Sequence, residues 1–251
     1  MFDPEFEQHV QRRARELCAA RQGDKNVIGW FIDNELRWGP DWRGPGDLHA
    51  LFLNLPAASP GRRAVAGAAR ETFTAQVAER YFVLTAAAIR AADPNHLVLG
   101  CRFALVPPSA VIVAAGRHAD VVSFNCYEYD PVDAIEAYAA AGKPCLIGEF
   151  SFRSTDSGLP NSNGAGPKVL TQDERAGCFR RYVGAALRKP TVVGYHWFEH
   201  ADQPAEGRFD GENSNFGTVT IEDEIYEELT RAMTIVNAEA EHVHAAAGTG
   251  S

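Results

Sequence analysis

Glu35 and Glu149 are the residues best placed to do chemistry. Glu35 closes the apolar run VIGWFIDNE (Val27–Glu35), and Glu149 sits at the end of CLIGEF (Cys145–Phe150). Short apolar runs of this kind read as buried strands, so each carboxyl stands at the mouth of a strand, the rim where βα proteins assemble active sites. Two carboxyls on one rim can divide the hydrolysis of a sugar–sugar bond. One protonates the leaving oxygen and the other attacks the anomeric carbon, a spacing of ~5–5.5 Å retaining configuration. Trp30, Trp38 or Trp42 would shield Glu35 and raise its pKa; the plainer reading is a solvated carboxylate paired with Arg37. Glu149 ends a wholly apolar strand, where an unpaired charge is expensive, so it is either functional or held in an ion pair with Arg102 or Arg153.

Other side chains qualify these two. Tyr127 closes VVSFNCY and could donate its hydroxyl to a neighbouring carboxylate, or simply sit as an amphipathic aromatic at a sheet edge. Trp197 in GYHWFEH offers a flat face to a sugar ring, or packs in the core. His196 and His200 are four apart in a strand-to-loop stretch, where that spacing does not converge on a metal. GAGPK (Gly164–Lys168) lacks the spacing of a phosphate loop, and there is no Gly-x-Ser-x-Gly or Cys-x-x-Cys. Nucleotide, serine-hydrolase and zinc chemistry all lack their parts.

The elements that must position these residues alternate. Helices are predicted over Pro4 to about Arg21, Thr72–Ala92, Pro108–Gly116, Pro131–Ala141, Thr171–Lys189 and Glu222–Glu239. Strands are predicted over Val27–Asp33, Leu97–Phe103, Val121–Tyr127, Cys145–Phe150 and Thr191–Phe198, with a short edge strand at Phe216–Ile221. The stretch Arg37–Arg62 reads as one long loop. The class is therefore α/β, with a parallel sheet covered by helices. Residues 1–244 form one domain in this reading, and Ala245–Ser251 a disordered tail.

The 251 residues suffice for one substantial core. A formal charge of −9 and a pI near 5.4 disfavour nucleic acid or anionic membrane as partners and suit an uncharged substrate. Five scattered cysteines read as buried free thiols, which suggest a cytoplasmic setting. No stretch is apolar enough for a membrane span, and no signal peptide follows Met1.

Taken in order, the phrases IGWFIDNELRWG, DPNHLVLGCRF, DVVSFNCYEYD, IGEFSF, VVGYHWFEHADQP and DGENSNFG resemble clan A of the glycoside hydrolases, and within it the β-agarases and related β-galactoside hydrolases (family 50-like). The resemblance runs from about Phe2 to Leu229. It implies a (β/α)8 TIM barrel with Glu35 as general acid/base after strand four and Glu149 as nucleophile after strand seven. It further implies that Asn34 holds the sugar 2-hydroxyl, Tyr127 orients Glu149 and Trp197 floors the subsite. Arg102, His196, Glu212 and Asn213 become substrate or neighbouring contacts. The implied partner is an oligo- or polysaccharide, with no cofactor and no metal, and the family's substrates suggest a secreted or periplasmic setting.

The chain departs from the family at its start. Five strands fit barrel strands four to eight, so the expectation is a partial barrel lacking the first three βα units, a fragment whose open edges invite self-association. The competing expectations are a non-catalytic remnant that at most binds sugar, and another glycosidase of the clan (β-galactosidase, β-glucosidase or mannanase).

Overall fold

The computed structural model describes residues 1–248. In chain order its elements are α1 (Pro4–Cys18), β1 (Gly29–Trp30), α2 (Leu48–Leu53), α3 (Pro60–Val65), α4 (Arg70–Ala92), β2 (Leu97–Val98), α5 (Ser109–His118), β3 (Val122–Asn125), α6 (Val132–Tyr138), β4 (Cys145–Phe150), β5 (Arg153–Ser154), β6 (Lys168–Val169), α7 (Gln172–Leu187), β7 (Val192–Trp197) and α8 (Glu227–Gly248). The chain divides into two compact units, residues 1–124 with 137–145, and residues 125–136 with 146–248.

In the first unit α1 packs on α4, and α4 on α5. Asp3 caps α1 by accepting from the Glu5 amide, with Pro4 in the first turn. Ala14 and Cys18, at i and i+4, meet Ala86, Ala88, Ile89 and Ala92 of α4, with Trp30 and Ile32 packed against them. Small alanines let the helices approach closely. β1 and β2 pair in parallel, Gly29 opposite Leu97 and Trp30 opposite Val98. Next to them, Ser123 donates its hydroxyl to Leu99 O at 2.6 Å and accepts from Arg102 N at 3.0 Å, bridging a stretch where the ladder toward β3 is interrupted.

A three-stranded sheet has the order β3–β4–β7. In the second unit α7 packs on α8. Phe150 of β4 stacks on Tyr182 of α7 at 4.2 Å between ring centroids and on Phe179 at 6.0 Å. Arg175 of α7 is fully buried; it donates to Phe152 O at 2.7 Å and Gly217 O at 2.9 Å, between the rings of Trp197 and Tyr226. Burial lowers its pKa to about 10.

Several expectations need correction. The run Val27–Asp33 is a strand over only two residues and is not buried, with Ile28 75% exposed. The long loop Arg37–Arg62 holds α2 and the start of α3, each capped by a side chain: Asp47 accepts from Ala50 N, and Ser59 from Arg62 N ahead of Pro60. Phe216–Ile221 forms no strand; Val219 makes only isolated bridges to Ala201 and Ile225. β5 and β6, paired in parallel, were not anticipated. The closing helix continues through Ala245–Gly248, so those residues of the expected disordered tail are helical, because the alanine run propagates α8. Residues 249–251 of that tail lie outside the described residues. All five cysteines are buried free thiols, as expected. Among the described residues, no helix is long and apolar enough to cross a membrane.

Candidate active site

Glu149 belongs to β4, the middle strand of the three-stranded sheet. Side chains alternate along β4, so the stacking of Phe150 on α7 sends Glu149 to the opposite face of the sheet. Its backbone carbonyl accepts from Cys126 N at 2.9 Å, and Phe150 O accepts from Phe198 N at 3.0 Å, so neighbouring chain clasps this strand end on both sides. The Tyr127 hydroxyl donates to Glu149 Oε2 at 2.7 Å. A charge-assisted hydrogen bond of this kind fixes the rotamer of the carboxylate.

The same alternation separates two neighbours that the sequence reading groups together. Trp197 lies on the helix side of β7. Its indole N–H donates to Phe216 O at 2.8 Å, and its ring packs against Phe150, Phe179 and the Arg175 guanidinium. His196 and Phe198 take the other side. Phe198 is the aromatic that meets Tyr127, edge to face at 6.2 Å. Trp197, half-buried, thus packs on the helix side, and the ring beside Tyr127 is Phe198. His196 is exposed on that strand.

Glu212 and Asn213 lie in the loop after β7, with most of their polar atoms engaged locally. Glu212 Oε2 accepts from Arg208 Nη2 at 2.8 Å and Gln203 Nε2 at 2.9 Å. Asn213 Oδ1 accepts from Ser162 N and Asn163 N, both at 3.0 Å, pinning the loop that follows β5. Glu199 is a further carboxyl beside this loop, pushed up by burial and bonded by Gln203 at 3.1 Å.

In the first unit, the tip carrying Asn34 and Glu35 is irregular. Glu35 has φ 57°, in the left-handed region that costs a non-glycine residue roughly 1–2 kcal/mol. Arg102 on the facing segment has φ 45°. The two are tied together by Glu35 N donating to Arg102 O at 3.1 Å, while Arg43 Nη2 donates to Glu35 O at 3.0 Å. The Arg102 guanidinium lies over the Phe31 ring at 5.3 Å. Asn34 is exposed and Glu35 half-buried. Backbone strain at a named residue, held by surrounding bonds, is a feature that clusters at functional sites.

Sequence reasoning missed Asp33. Burial raises its pKa to about 6, and Tyr81 of α4 donates to its Oδ2. Its place next to Asn34-Glu35 was the available signal, but an acidic residue after an apolar run reads as the end of burial. A shallow hollow of about 80 Å³ lies beyond the tip, lined by Leu36, Trp38, Pro40, Arg43, Leu105 and Pro108 among others. Among the described residues, no group of three or more His, Cys, Asp or Glu side chains could hold a metal ion.

No family model matches the chain. It is 30% identical to Beta-agarase B of Vibrio sp. (strain JT0107) in an alignment covering 92% of this chain and 29% of that protein. Among solved structures, that of an agarase, AgWH50C, matches with a TM-score of 0.84 at 32% identity, over 97% of this chain and 40% of that one. The structure of BpGH50 also gives 0.84, at 25% identity, over 97% and 56% respectively. The chain thus spans about three tenths of the length of that Vibrio protein. Over nearly all of its own length it is homologous to beta-agarases and has an α/β fold similar to GH50 agarase structures.

Proposed function

We propose that this chain is part of a retaining glycoside hydrolase that cleaves β-galactosidic bonds in agar-type galactans, with Glu35 as general acid/base and Glu149 as nucleophile. The observation that carries the reading is the Tyr127–Glu149 hydrogen bond at the regular end of β4, in a chain homologous to beta-agarases. Glu149 attacks the anomeric carbon as Glu35 gives its proton to the glycosidic oxygen, releasing the leaving sugar. Glu35 then takes a proton from water, whose oxygen displaces Glu149 from the covalent intermediate. Asn34, Arg102 and His196 contact the sugar, and Phe198 takes over from Trp197 as its apolar floor. Glu212 and Asn213 shape the loop beside it.

The order of elements supports reading β1, β2, β3, β4 and β7 as strands four to eight of a (β/α)8 barrel. Ile28 at β1 and Val193 in β7 are 75% and 56% exposed within apolar strand runs, which supports self-association through strand edges.

The test is turnover of aryl β-galactosides and agaro-oligosaccharides by the native chain and by Glu149→Ala. The native chain is expected to turn over with retention, and the variant to lose it. Undiminished activity of Glu149→Ala would sink the nucleophile assignment. Oligosaccharide binding without turnover by the native chain would favour the non-catalytic reading.

A further inference from the structure

Tyr81 of α4 touches both flanks of the Asn34–Glu35 tip. Its hydroxyl donates to Asp33 Oδ2 on one side. On the other side its ring meets the Trp38 indole edge to face at 5.7 Å, and that indole stacks on Phe82, also at 5.7 Å. Tyr81, Phe82 and Trp38 are all buried. The four residues between Asp33 and Trp38 therefore leave and rejoin the same helix across one tyrosine.

This contact overrides strand geometry. Trp30 and Ile32 face the α1–α4 core, so strict alternation would send Asp33 to the opposite face. Instead its carboxyl reaches α4, and the backbone two residues on enters the left-handed region. Asp33 Oδ1 is buried without a partner, an arrangement that favours a neutral carboxyl. The titratable groups facing Asp33 are the Tyr81 hydroxyl and, from the segment after β2, the Cys101 thiol, which burial and the Asp33 charge push well above its ordinary value.

We propose that Asp33 and Tyr81, with Trp38, form a staple that positions the acid/base Glu35, and that ionisation of Asp33, which leaves a charged Oδ1 buried without a partner, loosens it. Asp33 and Tyr81 are positioning residues, acting through the backbone of residues 34–37. The inference rests on the assignment of Glu35 as acid/base. It adds a second carboxyl whose charge state governs where that acid stands.

The test has a spectroscopic and a kinetic arm. In the Glu35→Gln chain, amide resonances at positions 34 and 35 are followed from pH 4.5 to 8 and should move with a midpoint near 6. Adding Asp33→Asn should flatten that curve, and adding Tyr81→Phe should raise its midpoint. In the otherwise native chain, Tyr81→Phe should lower kcat on agaro-oligosaccharides roughly tenfold with KM little changed, as for a misplaced catalytic group. Flat amide curves in the Glu35→Gln chain overturn the staple whether or not the chain is active. Unchanged kcat in Tyr81→Phe overturns it too, provided Glu35→Gln abolishes turnover. Native-like turnover by Glu35→Gln sinks the acid/base assignment instead, whatever the spectra show.

Discussion

The two strand tips that carry the proposed acids are built in opposite ways. Glu149 is the penultimate residue of a six-residue strand whose backbone is clasped on both sides, and its side chain is oriented by alternation and one tyrosine hydroxyl. Glu35 follows a two-residue strand, adopts a left-handed conformation, and is held by Arg102, Arg43 and, through Asp33, by Tyr81. A nucleophile must meet carbon along one line, which suits a regular ladder. In the proposed roles, a proton shuttle serves two steps, and the position of Glu35 depends on side chains from a helix and a loop.

The largest expected effect tests the regular side. Arg175→Ala removes a buried guanidinium and strands the carbonyls of Phe152 and Gly217, with Asp202 nearby. It should cost about 3–5 kcal/mol by urea denaturation; a loss below 1 kcal/mol would mean the second unit does not depend on it.

The irregular side is tested by pH. Asp33 binds its proton more tightly folded than unfolded, so its contribution is fully present below pH 4 and is lost as pH rises through about 6. The loss should reach about 2–3 kcal/mol by pH 7.5. Asp33→Asn should therefore be more stable than the native chain at pH 7.5 but similar at pH 4. Equal stability differences at both values would break the account of a buried acid.

Tyr127→Phe removes the hydrogen bond to Glu149 and should raise the barrier by about 1.5–3 kcal/mol, read as lower kcat/KM. The smallest effect sharpens the contrast. Glu35→Gly relieves left-handed strain and should stabilise the fold by about 1 kcal/mol while abolishing turnover. Glu149→Gly, in a regular strand, should destabilise instead. Calorimetry on the pair decides whether the tips differ as described.

Much of the local structure was legible. CLIGEF is a strand over its whole length because it is apolar and bounded by turns, and Thr72–Ala92 lies within α4. Two-residue strands such as β5 and β6 carry no periodic signal, so they were invisible. The caps Asp47 and Ser59-Pro60 were readable inside the supposed long loop, but six-residue helices leave too little periodicity to confirm a cap. The facing of Trp197 was not legible in the sequence. Composition favours tryptophan for a sugar ring, whereas alternation from Phe150 and Tyr195 assigns the helix side to Trp197.

By itself the sequence determined the βα alternation, the placement of Glu149 near the end of a strand, the buried free cysteines and the resemblance to agarases. Those properties follow from residue type and short-range periodicity. Tertiary structure alone decided that Tyr127 reaches Glu149, that Phe198 rather than Trp197 stands beside them, and that Asp33 turns toward α4. Each of these depends on a side chain at least 20 residues away in the chain or on an interruption in a strand. Only packing selects such partners, because contacts between distant residues leave no local periodicity.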